Sequence, residues 1–299
     1  MPAIALKIDV DTLRGTLEGV PTLLRLLDRH QLRATFLFSL GPDHTGRALK
    51  RVFRPGFLAK VQRTSVTSHY GLKTLLYGTL LPGPDIGKRA AAPMRDAHRA
   101  GHETGVHTWD HILWQDSVAR KDADWTRRQL QLAIDRYGEI FGTPPRVHGA
   151  AGWQMNDAAY ALEQELGITL ASDGRGAHPF LPVVQGRPLT VPQLPTTLPT
   201  LDELIGVDGL NADNVADHLL RLSTDGRDHV YTLHAELEGG QLAPVFDRLL
   251  HGWKAAGLHC TTMRGYADTL DLAALPRHTV RLGSIPGRSG TLALQGAPA

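Results

Sequence analysis

The sequence predicts an α/β fold, a parallel sheet with helices packed outside it and of barrel-like size, and three observations lead there. Short apolar runs alternate with segments of helical period along most of the chain, which is the pattern of a parallel sheet joined by crossover helices. The length of 299 residues suits one or two domains, and single barrel-like domains are common at this size. The residues able to do chemistry, Asp9, Asp11, His107, His111, Asp173 and His234, all fall at or just after the ends of expected strands. In such folds the carboxyl ends of the strands gather the active site.

Residues 3–10, Ala-Ile-Ala-Leu-Lys-Ile-Asp-Val, read as a buried strand. A helix is expected over 19–30, where Val20, Leu23, Leu24, Leu26 and Leu27 make one apolar face. A second strand covers 33–40. After an interruption the alternation resumes: helix 86–100, strand 102–106, helix 122–137, strand 146–148, helix 156–166 and strand 169–172. It closes with helix 215–223, strand 229–234 and helix 241–256. Residues 180–199 are proline-rich and read as a long loop near the active rim. Residues 285–299 are rich in Gly, Ser and Ala and read as loose chain. The expected organisation is one domain over 1–275, with an insertion at 44–89 and a flexible tail over 276–299.

The formal net charge of +2 gives no reason to expect a nucleic-acid partner. Cys260 is the only cysteine, so no internal disulfide and no cysteine-rich zinc site can be built. The first residues, Met-Pro-Ala-Ile, lead straight into a strand without the pattern of a secretion signal, and the expectation is a cytoplasmic protein. No apolar run approaches the roughly 18–20 residues needed to span a bilayer, so any membrane contact should be peripheral. Serine-hydrolase elbows and phosphate-binding loops are missing from the sequence.

The insertion is the most uneven stretch. Between residues 47 and 89 nine Lys and Arg residues stand against a single acid, Asp85, interleaved with Phe53, Phe57, Leu58, Tyr77, Leu80 and Leu81. Cations beside apolar side chains suit an anionic bilayer surface. A helical hairpin packed on the barrel with solvated cations fits the same pattern, and composition leaves both open.

His107 and His111 stand four apart in Gly-Val-His-Thr-Trp-Asp-His. On one turn of helix that spacing puts two imidazoles on one face, able to reach one ion. Asp9 and Asp11 lie on one side of a continuing strand, so that one carboxylate can bind the ion and the other handle protons. Two His and one Asp with an open coordination position is how a catalytic ion is held. Fifteen histidines make chance spacings common, and the Asp-x-Asp company carries the weight. His102 and His107 are five apart, which does not fit the zincin helix. His234 ends a strand and suits either a core position or a general acid oriented by a carboxylate such as Asp173. The stretch Asp173-Gly174-Arg175-Gly176 equally suits a tight turn.

Taken in order, Asp9-Val10-Asp11, then His107-Thr108-Trp109-Asp110-His111, then Leu233-His234, the motifs resemble those of the polysaccharide deacetylase superfamily, over most of the chain to about residue 270. The finer resemblance is to the bacterial 4-deoxy-4-formamido-L-arabinose-phosphoundecaprenol deformylases. It rests on Lys7 to Thr12 with Arg14-Gly15, on Gly149 to Trp153, on Ser172 to Gly176 and on Thr232 to Gly239. The resemblance implies a distorted (β/α) barrel and one divalent metal ion (zinc, manganese, cobalt or nickel) bound by Asp11, His107 and His111. It also implies Asp9 as general base and His234 as general acid. A lipid-linked aminosugar substrate is implied as well, with removal of its formyl group on the route to modified lipid A and polymyxin resistance. With such a substrate, the basic insertion is expected to meet an anionic membrane surface, making the protein peripheral on the inner face of the inner membrane. A soluble polysaccharide or small-amide deacetylase with the same metal site is the enzymatic alternative, and a noncatalytic lipid-binding module the alternative of another class. One departure stands out. Many deacetylases hold the base with an Arg-x-Pro motif, and here that stretch reads His148-Gly149-Ala150-Ala151-Gly152-Trp153. Arg175 is the candidate substitute, since a guanidinium beside Asp9 would keep it ionised and oriented.

Overall fold

The computed structural model describes residues 1–48, 73–288 and 290–299. Strand β1 (Ala3–Val10) runs through the middle with all eight residues buried. It is covered on both sides, which is why it reads as a continuous apolar run. Its side chains divide by the two-residue period: Ile4, Leu6, Ile8 and Val10 join the outer core beneath the helices, while Ala3 and Ala5 join a separate inner cluster. Lys7 and Asp9 share that inward parity.

Around β1 stand β2 (Thr35–Ser39), β3 (Glu103–Thr108), β4 (Val147–His148), β5 (Leu170–Ala171) and β8 (His229–His234). They form one parallel sheet in the order β5-β4-β3-β2-β1-β8. Strand β9 (His259–Thr261) pairs with the first residues of β1, and β2 pairs with its last four. The outer layer comprises α1 (Val20–Arg29), α2 (Ile86–Arg89), α3 (Ala91–Arg99), α4 (His111–Ser117), α5 (Ala123–Phe141), α6 (Asp157–Glu165), α7 (Leu201–Leu204), α8 (Val215–Ser223) and α9 (Ala243–Ala255). The expected alternation is thus present, with α2 and α3 dividing the single helix expected over 86–100 at Ala90. Local chemistry sets the starts: Asp110, Asp122 and Asn156 accept hydrogen bonds from the backbone N–H three residues on, at α4, α5 and α6. Helix α10 (Met263–Ala267) packs with Leu37, Val147, Leu170, Leu194 and Val230 in the inner cluster, filling the end of the barrel away from Asp9.

The proline-rich stretch 180–199, expected as a loop, is structured. It contains β6 (Leu181–Val184) and β7 (Arg187–Pro188). It also spans the gap between β5 and β8: Ala171 donates to Pro192 O, Thr196 to Gly174 O and Thr197 to Val230 O. Prolines cannot donate, so this closure is an irregular ladder. The tail expected over 276–299 is corrected too. It forms β10 (Arg277–Gly283) and β11 (Leu292–Pro298), which build a second sheet in the order β11-β10-β6-β7. β10 and β11 are half exposed and pair with each other as an antiparallel hairpin, and β10 joins β6 from far earlier in the chain.

Of the insertion at 44–89, residues 49–72 lie outside the described residues, and with them most of the expected membrane element. Its described ends meet: Gly46 donates to Tyr77 O and the Arg47 Nε to Gly78 O. Leu80 is 81% exposed. Among the described residues no helix is long and apolar enough to cross a membrane.

Candidate metal and catalytic site

The site is built where β1, β3 and β8 end. Register pairs Asp9 with His234 across β1 and β8, so the two side chains emerge side by side on the inner face. Asp11 follows the last residue of β1. His107 and His111 do not share a helix turn, contrary to the spacing argument. His107 lies within β3 and His111 opens α4. The Trp109-Asp110 corner between them folds the chain back, with Asp110 as the helix cap. The rings still converge, with centroids 5.3 Å apart.

Asp11 stands between them. Its Oδ1 is 3.2 Å from His107 Nε2 and its Oδ2 3.4 Å from His111 Nε2. The three offer ligand atoms that all lie within 4.8 Å of one another. Whether an ion fits is decided by His107. Its Nδ1 lies 2.6 Å from Gly149 O, and a carbonyl can only accept, so Nδ1 carries a proton and Nε2 is the ring nitrogen turned to Asp11. That nitrogen faces a buried carboxylate oxygen with no other hydrogen-bond partner. A proton or a metal cation between the two atoms satisfies both, and one carboxylate with two imidazoles is a donor set for a borderline divalent ion. Burial by itself would raise the Asp11 carboxyl, yet His111, His107 and His234 hold it far below the usual carboxylate range. His111 keeps 17% of its side chain exposed against 1% for His107, so the trio meets solvent on the His111 side.

Asp9 lies beyond this trio, its Oδ1 3.8 Å from His107 Nδ1 and buried without a hydrogen-bond partner. Its other oxygen accepts from Lys7 Nζ at 2.8 Å. Lys7 is fully buried and crosses the barrel interior, where Gly149 leaves room. A Cβ there would sit 2.4 Å from Leu37 Cδ1 and 2.9 Å from Lys7 Cε. The role expected of Arg175 therefore belongs to Lys7. The guanidinium of Arg175 is bound by both oxygens of Glu203 at 2.8 Å and by the carbonyls of Thr196 and Leu198. The period-two parity of a strand would have flagged Lys7, two residues before Asp9, as its inward neighbour. Trp153 is buried against these cations, with Lys7, Arg175 and Arg288 all over its ring.

Asp173 is also displaced from its expected place beside His234. It is fully buried, accepts from Ala150 N at 2.9 Å, and lies 2.9 Å from His148 Nδ1. His234 instead sits among other carboxylates. Burial works against its protonation, but Asp202, then Asp11, Asp9 and Glu238 raise its pKa above the ordinary histidine value. Its backbone N–H donates to Glu238. Two acids in the Leu-His-Ala-Glu-Leu-Glu-Gly stretch thus serve the site unforeseen. Glu236 Oε1 accepts from Asp11 N, Thr12 N and Thr12 Oγ1, holding the loop that carries Asp11. Gly15 is small because a Cβ would lie 2.0 Å from that oxygen, which links the Arg14-Gly15 pair to the distant Glu236.

A model of the polysaccharide deacetylase family matches residues 2–171. A probable 4-deoxy-4-formamido-L-arabinose-phosphoundecaprenol deformylase from Shewanella sediminis is 38% identical over 98% of this chain and 94% of its own length. A protein of the same name from Wigglesworthia glossinidia brevipalpis is 29% identical over 94% of this chain and 98% of its own. Among solved structures, a protein from Mycobacterium smegmatis assigned as a polysaccharide deacetylase superposes with a TM-score of 0.62 at 19% identity, covering 95% of this chain and 94% of that one. A probable polysaccharide deacetylase from Pseudomonas aeruginosa PAO1 gives 0.61 at 14% identity over 89% of each chain. These two likenesses concern the fold, and the curled parallel sheet described above is that fold. The chain belongs to the polysaccharide deacetylase family, and it is a hydrolase of amide carbon–nitrogen bonds.

Proposed function

We propose that the protein removes the N-formyl group from undecaprenyl-phosphate-linked 4-deoxy-4-formamido-L-arabinose, with a divalent ion as cofactor, releasing formate and the 4-amino sugar lipid used to modify lipid A in polymyxin resistance. The observation that carries this reading is the 38% identity to the Shewanella sediminis deformylase across 98% of the chain, with Asp9, Asp11, His107, His111 and His234 all converging on one rim. Asp11, His107 and His111 are the residues that would hold the ion. When bound, a divalent ion polarises the carbonyl and lowers the pKa of water.

The remaining steps fall to the protein. Asp9 takes the proton of the attacking water on its bare Oδ1, while Lys7 holds Oδ2 and keeps the carboxylate oriented. The water oxygen bonds to the formyl carbon, and the carbonyl becomes tetrahedral. Collapse of that intermediate breaks the C–N bond, and an amine leaves only if its nitrogen is protonated. His234, which the surrounding carboxylates favour in its protonated form, supplies that proton from beside Asp9.

Formate release from the formamido lipid by purified protein, lost with chelator and restored by a divalent ion, tests the reading. Acetyl release from chitooligosaccharides with none from the lipid would replace it with the soluble deacetylase. Asp9→Asn should retain the ion while kcat falls by about 10²–10⁴, and full turnover in that variant would remove Asp9 from the mechanism. The membrane part of the proposal rests on the basic, apolar composition of 47–89 and on exposed Leu80. Deleting 52–81 should abolish flotation with anionic vesicles.

A further inference from the structure

His148, Glu163 and Asp173 form a second buried cluster whose ligand atoms also lie within 4.8 Å of one another. It sits behind the barrel wall, with His148 edge-on to Trp114. Its distances are those of hydrogen bonds: His148 Nδ1 is 2.6 Å from Glu163 Oε1 and 2.9 Å from Asp173 Oδ1. Ligand atoms around a common tetrahedral ion with bonds near 2.0–2.1 Å stand roughly 3.3 Å apart. The cluster is a proton network and not a second metal site.

What the network reaches is more informative. Asp173 Oδ1 accepts from Ala150 N at 2.9 Å. Gly149 O, the other end of the same peptide unit, lies 2.6 Å from His107 Nδ1. One amide plane therefore has a buried carboxylate on its N–H and the ring of a metal-ligating histidine on its C=O. Gly149 is held against the barrel interior by its missing Cβ, which would overlap Leu37 and Lys7, and Gln193 Nε2 fixes Asp173 from its other oxygen at 2.8 Å.

We propose that Asp173 is a positioning residue for the metal centre, acting on His107 through the Gly149–Ala150 peptide. Histidines that bind metals commonly donate their second N–H to a carboxylate or carbonyl, which sets the tautomer and raises ligand basicity. Here both partners are used in series. A carboxylate on the peptide N–H draws negative charge onto the carbonyl oxygen, because hydrogen bonds along a chain polarise one another. The carbonyl then accepts more strongly from His107 and leaves Nε2 the better donor to an ion. Glu163 is the natural control. Burial and the neighbouring Asp173 push its pKa well up, and it does not touch the peptide, so Gln in its place changes the network while leaving the Asp173 carboxylate on Ala150 N.

The inference rests on the metal-centre reading, and the test separates the two. Metal-stripped wild type, Asp173→Asn and Glu163→Gln are titrated with zinc against a chromophoric chelator, and the cobalt-loaded proteins are compared by visible spectrum. Asp173→Asn keeps an acceptor for Ala150 N but removes the charge. It should bind zinc 10–100-fold more weakly with an altered cobalt band, while Glu163→Gln stays within about threefold of wild type. Equal affinities for Asp173→Asn and wild type, or equal losses in both variants, overturn the relay. Absence of zinc binding by wild type overturns the metal centre itself. If Asp173→Asn does not fold, nitrogen-edited NMR of metal-free wild type decides: the proton of His107 must reside on Nδ1 and resonate downfield of the amides, and a ring protonated on Nε2 alone overturns the proposal.

Discussion

Lys7→Met is the substitution that most directly tests how the site is held. The ammonium and the Asp9 carboxylate are 2.8 Å apart, with side-chain exposures of 0% and 5%. At an effective dielectric constant near 20 their attraction is about 6 kcal/mol, most of it offset by the cost of burying both ions. Removing one partner leaves the other buried and uncompensated, which costs about 3–5 kcal/mol. For a domain of 299 residues unfolding entropy is roughly 0.6 kcal/mol/K, so the midpoint should fall by about 5–8 °C. The assay is urea and thermal unfolding with excess chelator, so that ion binding does not contribute. Adding Asp9→Asn to Lys7→Met removes the stranded charge, and the double variant should be more stable than the sum of the singles by about 2–3 kcal/mol. Arg175→Met combined with Asp9→Asn should be additive within about 0.5 kcal/mol, because Arg175 is engaged with Glu203. Additivity in the Lys7 cycle together with coupling in the Arg175 cycle would refute the assignment.

Two further predictions concern the ion and the pH dependence. His107→Ala and His111→Ala should each lose the bound ion and activity together, as read by metal analysis of the dialysed protein. A variant that keeps stoichiometric metal removes that residue from the ligand set. His102 is 5% exposed and its Nδ1 accepts from Ala34 N at 3.2 Å, so the ring must be neutral there. Burial, aided by Arg33, depresses its pKa from 6.5 to about 4. A depressed histidine contributes stability that is present above the unfolded value and lost as pH falls through the folded one. Between pH 6.5 and 4 that loss should approach about 3 kcal/mol. His102→Asn, which still offers an acceptor, should flatten the fall, and parallel stability curves would exclude His102 as its source.

Much of the fold was legible because strands buried on both faces are continuous apolar runs and their helices carry one apolar face. The strands at 3–10 and 229–234 and the helix at 215–223 appear with the expected bounds. The small sheet was illegible, since β10 and β11 are half exposed and β10 joins β6 by a long-range pairing that leaves no periodic trace. Two of the site's expectations failed for one reason. Arg175 and Asp173 are close in sequence to each other and far from everything else in the site. Only the folded chain shows that Arg175 turns to Glu203 and Asp173 to Ala150 and His148.

What the sequence by itself determined was the inventory: a parallel α/β barrel, a candidate His–His–Asp trio, a second aspartate and a late histidine, because residue type and strand period are local properties. The tertiary structure decided the geometry of their cooperation. His107 and His111 meet across a strand-to-helix corner instead of along a helix, and Lys7 takes the cation's place beside Asp9. Those outcomes depend on which buried charge finds which partner, and a charge removed from water accepts the nearest counter-ion the packed interior allows.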